Sequence, residues 1–86
     1  MLVLYGRVAA DSESLRMGLR GLQEKLRLDS EHLLLYAGAV AGALAKHKPR
    51  AVKLEIGYSS TEITLYLVHS RSDGRYDLFG GWRRGD

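Results

Sequence analysis

The spacing of apolar and polar residues changes along the chain, and each change marks an element. Leu2 to Val8 is a short apolar run with branched and aromatic side chains, which predicts a first strand. Its near-continuous hydrophobicity through Leu2, Val3, Leu4 and Tyr5 predicts cover on both faces. Asp11, Ser12 and Ser14 then offer N-cap side chains, with Glu13 well placed beside the positive end of a helix. Leu15, Leu19, Leu22 and Leu26 follow at helical spacing and form one stripe toward a core. Gly18 and Gly21 each weaken this helix by about 1 kcal/mol relative to alanine. Gly18 flanks the stripe, where close contact with a second helix would compensate.

Leu28-Asp29-Ser30 marks a break, with Asp29 or Ser30 as the next cap. The stretch that follows, Ser30 to Lys48, is the one the rest of the chain is arranged to bury. Its thirteen residues from Leu33 to Ala45 carry no charge. That run is shorter than the roughly 18–20 residues a bilayer span needs, so it predicts a helix covered on more than one side. Leu33, Ala37, Val40 and Leu44 form one stripe. Leu34, Gly38, Ala41, Gly42 and Ala45 form a second, made almost wholly of small side chains that would let a sheet, a helix or a second copy come close. The short link between the helices predicts an antiparallel helical hairpin. Lys46, His47 and Lys48 complement the negative helix end, and Pro49 stops it.

From Ala51 the period becomes two. Val52, Leu54, Ile56 and Tyr58 alternate with Lys53, Glu55 and Gly57, and after a turn at Ser59-Ser60-Thr61, Ile63, Leu65, Leu67 and His69 alternate with Glu62, Thr64, Tyr66 and Val68. Asp73-Gly74 predicts a type I′ hairpin with a two-residue loop, which would set Arg71 opposite Tyr76, His69 opposite Leu78 and Val68 opposite Phe79. The last strand is expected to fade at Gly80-Gly81 into a flexible tail over 81–86. The fold class is therefore α+β in the order β-α-α-β-β-β: one small domain over 1–86, an antiparallel sheet with a helical hairpin on one face. Val52, Leu54, Ile56, Ile63, Leu65, Leu67 and Leu78 should point inward. The slot of the first strand, edge or centre, stays open.

Composition narrows the class. An apolar share of 45% in 86 residues argues for a folded domain rather than a disordered chain. The lack of cysteine removes disulfides, thiolate metal sites and a cysteine nucleophile, and fits a cytoplasmic location. The start MLVLYGRV has no charged leader region, and no stretch qualifies as a membrane span. A net charge of +3 permits an acidic partner without demanding one.

Two features point to phosphate. Arg16, Arg20 and Arg27 project from one side of the first helix, although Glu13 and Glu24 lie at pairing distance and weaken the field. Lys46, Lys48, Arg50 and Lys53 put four positive charges within eight residues, with no acid between them. Two others point to protein contact: the small face Gly38, Ala41, Gly42 and Ala45, and the outward residues Tyr66, Val68 and Phe79, a contiguous patch of the kind that marks a partner site.

Signals for catalysis are sparse. His32, His47 and His69 lack metal-ligand spacing, and no nucleophile motif, phosphate loop or carboxylate cluster occurs, so no metal or cofactor is expected. The element order and basic balance resemble those of the small toxin-type ribonucleases of bacterial toxin–antitoxin pairs. No motif residue matches them, and none is carried over. Without a metal, such chemistry would draw on His69, Arg71, Arg75 and Tyr76. The leading expectation is a non-catalytic protein-interaction module, homodimeric or a subunit of a larger assembly. A nucleic-acid-binding domain centred on the basic turn stands second, and a metal-independent ribonuclease third.

Overall fold

The computed structural model describes residues 1–28, 31–70 and 72–85, with the backbone alone at Tyr58. Its elements are β1 (Val3–Val8), α1 (Ser12–Lys25), a 3-10 turn (His32–Tyr36), α2 (Ala37–His47), β2 (Ala51–Tyr58), β3 (Thr61–His69) and β4 (Tyr76–Arg84). The four strands form one antiparallel sheet in the order β1-β4-β3-β2. The predicted α+β class and element order are those observed. No helix among the described residues is long and apolar enough to cross a membrane.

Of the three cap candidates, Asp11 acts. Its carboxylate accepts from the Ser14 amide at 2.8 Å and from the Ser14 hydroxyl at 2.9 Å. These bonds hold the Asp11 carboxyl below the usual carboxylate range, the backbone donor contributing most. At the far end Arg27 takes a left-handed conformation, φ +56°. Its amide donates to Glu24 O (3.1 Å) and the Leu28 amide to Gln23 O (3.0 Å), the paired bonds of a Schellman motif. Arg27 therefore ends α1 instead of extending its arginine row, which corrects the predicted alignment of Arg16, Arg20 and Arg27.

The predicted second helix is divided. Residues 32–36 wind as 3-10, and α2 begins at Ala37. Leu33, Ala37, Val40 and Leu44 are buried as one stripe, as their spacing predicts. The small-residue stripe splits. Leu34 and Ala41 are buried within the chain, while Gly38, Gly42 and Ala45 are exposed.

α1 lies on β1 and β4. A Cβ built on Gly18 would stand 2.5 Å from Val8 Cγ1 and 3.2 Å from Leu78 Cδ2, so the glycine admits strands rather than the second helix expected there. The inner residues Ile56, Ile63, Leu65 and Leu67 of β2 and β3 are then left for α2 to cover, and all four are buried. Val52 and Leu54, nearer the start of the β2 edge, are half-buried.

Three other expectations give way. The hairpin pairs His69 with Tyr76, Val68 with Asp77 and Tyr66 with Phe79, displaced by two residues from the predicted register. The Ser70 amide closes a longer loop by donating to Arg75 O at 2.7 Å. An even displacement leaves every side chain on its predicted face. In the observed register Tyr76 is buried beside His69, with its hydroxyl donating to Pro49 O at 3.1 Å. Next, β4 continues through Gly80 and Gly81 to Arg84, where a tail was expected; Trp82 anchors it by donating its indole N–H to Leu26 O at 3.1 Å. Finally, β1 is an edge strand with Leu2, Leu4 and Tyr5 exposed, not a strand covered on both faces.

These contacts order the effects of glycine replacement. Gly18→Ala should destabilise, because overpacking against buried Val8 costs about 1–3 kcal/mol and outweighs the roughly 1 kcal/mol of helix propensity gained. Gly42→Ala should stabilise by about 0.5–1 kcal/mol, since its Cβ would meet nothing within 4 Å. Urea denaturation of the two variants checks the opposite signs.

At the end of α1, Arg27→Gly should stabilise by about 1 kcal/mol by relieving the left-handed backbone. An unchanged or lowered midpoint in thermal melting would contradict that account of the helix stop.

Candidate functional site: the open face of the sheet

With both helices on one side, the other face of the sheet is uncovered by any described element. Period-two alternation places its residues in rows that cross all four strands. Leu4, Phe79, Tyr66 and Lys53 make one row, and Arg7, Asp77, Val68 and Ala51 the next toward the loop end. In the other direction lie Gly81, Thr64 and Glu55, then Arg83, Glu62 and Gly57. The rings of Tyr66 and Phe79 meet at 6.1 Å between centroids, tilted by 46°. Leu4 is 49% exposed and Leu2 41%. Together with half-buried Tyr66, Val68 and Phe79 they form a continuous apolar strip across β1, β4 and β3. Beside it an open pocket of about 290 Å³ is lined by Leu2, Lys53, Glu55, Thr64 and Arg83, with Gly81 as its floor. A Cβ at Gly81 would stand 2.3 Å from the Met1 carbonyl oxygen, so only glycine lets the chain start cross here.

Ion pairs border this strip on both sides. Arg7 donates from Nη1 to Asp73 (3.0 Å) and from Nε to Asp77 (3.1 Å). Arg83 pairs with Glu62 at 2.7 Å, and Lys53 with Glu55 at 3.3 Å. Among the described residues, the outer-face cations Arg7, Lys53 and Arg83 are each matched by a carboxylate. Asp73 also accepts from the Arg75 amide at 3.0 Å. That bond first, and Arg7 after it, hold the Asp73 carboxyl below the usual range.

The sequence-derived interface residues Tyr66, Val68 and Phe79 fall on this one face, with Tyr66 rather than Val68 directly across from Phe79. Gly38, Gly42 and Ala45 lie on the helix side and are exposed, while Ala41 is buried inside the chain. Leu2, Leu4 and the Arg7–Asp73–Asp77 cluster were missed. Their signal was the alternation Leu2, Leu4, Arg7, broken by a bulge between Leu4 and Gly6, and it has meaning only once β1 is known to pair with β4.

The phosphate candidates are not brought together. Lys53 stands on the outer sheet face with Glu55, apart from Lys46, Lys48 and Arg50 at the end of α2. Those three make no ion pair among the described residues, and Lys48 ends α2 in a left-handed conformation. Arg16 and Arg20 stay exposed on α1, Arg20 3.6 Å from Glu31. Of the ribonuclease set, His69 and Tyr76 do meet, with ring centroids 4.9 Å apart. Burial pushes the Tyr76 phenol up, and its hydroxyl is engaged by Pro49, so it is poorly suited to proton transfer near neutrality. Arg75 lines a separate groove with Arg7, Ser14 and Met17, and Arg71 lies outside the described residues. No group of three or more metal-ligating side chains occurs among the described residues.

No protein-family model, curated protein or solved structure matches this chain.

The pH response of the loop follows from Asp73. Its folded pKa is depressed, so its stabilising contribution is present above the ordinary aspartate value near 3.9 and lost as pH falls through the lower folded value. The Arg75 amide resonance should accordingly titrate with a midpoint below that ordinary value. In Asp73→Asn that titration should vanish.

Proposed function

We propose that the protein is a non-catalytic interaction module that presents the open face of its sheet to a partner protein, acting as a homodimer or as one subunit of an assembly. The observation that carries this reading is the apolar strip of Leu2, Leu4, Phe79, Tyr66 and Val68, bordered by cations that are already neutralised. An apolar centre with a polar rim suits protein contact. A surface that tracked single-stranded nucleic acid would need unopposed cations beside its aromatic rings, and here Lys53, Arg7 and Arg83 are paired. The absence of cysteine agrees with a cytoplasmic setting. A second reading, phosphate contact through the turn after α2, is favoured by Lys46, Lys48 and Arg50, which make no ion pair among the described residues.

One experiment separates the two. The double variant Leu4→Ser, Phe79→Ser should keep the circular dichroism spectrum of the wild type and lose the protein captured from the native source by at least tenfold. The triple variant Lys46→Ala, Lys48→Ala, Arg50→Ala should retain that protein. If capture survives the double variant, the outer face is not the site. If wild type instead binds RNA or DNA with a log–log salt slope near −2.7, as about three phosphate contacts imply, and the triple variant abolishes it, the second reading replaces the first.

A further inference from the structure

The two edges of the sheet are built differently. At the β1 edge the strand is interrupted by a bulge between Leu4 and Gly6, and the Lys25 ammonium donates to the Leu4 carbonyl at 2.8 Å. A bulge and a lysine are devices that keep an edge from pairing. The β2 edge has no such break. Its eight residues pair with β3 in unbroken register from Ala51–Val68 to Tyr58–Thr61, and its one neighbouring proline, Pro49, precedes the strand.

Hydrogen-bond parity identifies which β2 groups are unused. The His69 amide donates to Arg50 O at 2.8 Å, making Arg50–His69 a bonded pair. Bonded and non-bonded pairs alternate along an antiparallel ladder. Val52, Leu54 and Ile56 therefore bond to β3, while Ala51, Lys53, Glu55 and Gly57 turn their amides and carbonyls away from the sheet. A second strand can pair here only if its own outward residues meet these.

From this parity and the charges we propose that two copies of the chain join antiparallel through β2, about a two-fold axis at Leu54. In this register Lys53 faces the second copy's Glu55, Glu55 faces its Lys53, and Ala51 faces its Gly57. The two neighbouring registers that satisfy the same parity set Lys53 against Lys53 or Glu55 against Glu55, which like-charge repulsion disfavours. The axis at Leu54 also gives the fullest overlap of the span 51–57. A lone lysine on an edge repels pairing; with a glutamate two residues on and on the same face, the edge becomes self-complementary. On the inner face Leu54 meets its symmetry mate and Val52 meets Ile56 at non-bonded positions, where side chains approach most closely. The half-exposed Val52 and Leu54 are thereby covered. The exposed residues in the body of α2 are small, Gly38, Ala39, Gly42, Ala43 and Ala45, with Lys46 and His47 exposed at its end. The inference builds on the interaction-module reading but uses a different surface, because the open sheet face takes no part in the pairing.

Light scattering after size exclusion at about 10–100 μM should give twice the 9.6 kDa chain mass. Lys53→Glu should weaken the dimer roughly tenfold or more, since symmetry turns two attractive pairs into two repulsive ones. The exchanged variant Lys53→Glu, Glu55→Lys should restore it. Glu55→Pro, which removes an outward amide without cutting the bond to β3, should give a folded monomer. In hydrogen exchange, the amides of Lys53, Glu55 and Gly57 should be protected only at dimer-forming concentrations, and those of Val52, Leu54 and Ile56 at every concentration. A wild-type monomer at 100 μM, a dimer unaffected by both Lys53→Glu and Glu55→Pro, or protection of the outward amides only when a different protein is added would overturn the pairing. Leu4→Ser with Phe79→Ser should leave the dimer intact, so failure of the partner-face reading and failure of this one are told apart.

Discussion

Helix α1 can lie flat on the sheet because three side chains are missing. The ring of Tyr5 covers Gly21, Val8 and Leu78 close over Gly18, and Leu22 occupies the space a side chain on Gly80 would need. Replacing the Gly18 or Gly80 hydrogen by a methyl forces buried Val8 or Leu22 to move, which dense packing resists, and at Gly21 it displaces the ring of Tyr5. The contact fixes more than one helix. It clamps β1, a short strand with one paired side, between α1 and β4, and it brings the end of α1 within reach of Lys25–Leu4 and Trp82–Leu26 bonds. With α1 committed to β1 and β4, α2 is the element left to cover β3 and β2. Two helices cover one face of four strands, and none is left for the other. The open face is thus a consequence of the same close approach.

Much of this was legible in the chain. The leucine stripe of α1, the stripe Leu33–Ala37–Val40–Leu44 and the alternation of β2 and β3 each put the right residues on the core side, because period alone decides which side faces the core. The same parity kept Tyr66, Val68 and Phe79 on the outer face through a two-residue error in register. What was not legible depended on contacts distant in sequence. Asp73-Gly74 looks like a tight turn until Ser70 is seen to close the loop on Arg75 and His69 to pair with Tyr76. Leu2 to Tyr5 looks like a doubly covered strand until it is seen at an edge, with Tyr5 against α1 and Leu2 and Leu4 on the open face. Arg27 looks like one more helical arginine, since nothing local marks it as a left-handed stop that a glycine would ordinarily occupy.

The charge distribution follows the same division between local and distant information. Read along the chain, Lys46 to Lys53 is an uninterrupted basic run, and density of charge argues for phosphate. Folded, the run is cut between elements: the first lysines end a helix, and Lys53 lies on a sheet face two residues from Glu55. Arg7 finds its carboxylates at Asp73 and Asp77, about seventy residues away in sequence. Exposed pairs of this kind contribute little to stability. On the proposed reading their effect would be on selectivity, because a neutralised border round an apolar strip disfavours polyanions and leaves protein surfaces of ordinary composition as acceptable partners.

The difference between the two edges also bears on how far association can proceed. A sheet with two open edges can add copies at both ends, and such growth has no natural stop. Here β1 is broken by its bulge and held by Lys25, so only β2 offers a full row of unused backbone groups. Pairing β2 with β2 consumes that row in both copies and leaves two β1 edges at the ends of the joined sheet. The symmetry is closed, and association through this edge ends at two. In such a pair the open faces of both sheets lie on the same side, because neighbouring strands continue one sheet surface. The apolar strips running from Leu4 through Phe79 to Tyr66 would then flank a central belt formed by the Lys53 and Glu55 side chains of the two copies. A partner meeting that surface would encounter two equivalent strips separated by balanced charge, a geometry suited to a symmetric partner or to two copies of one segment.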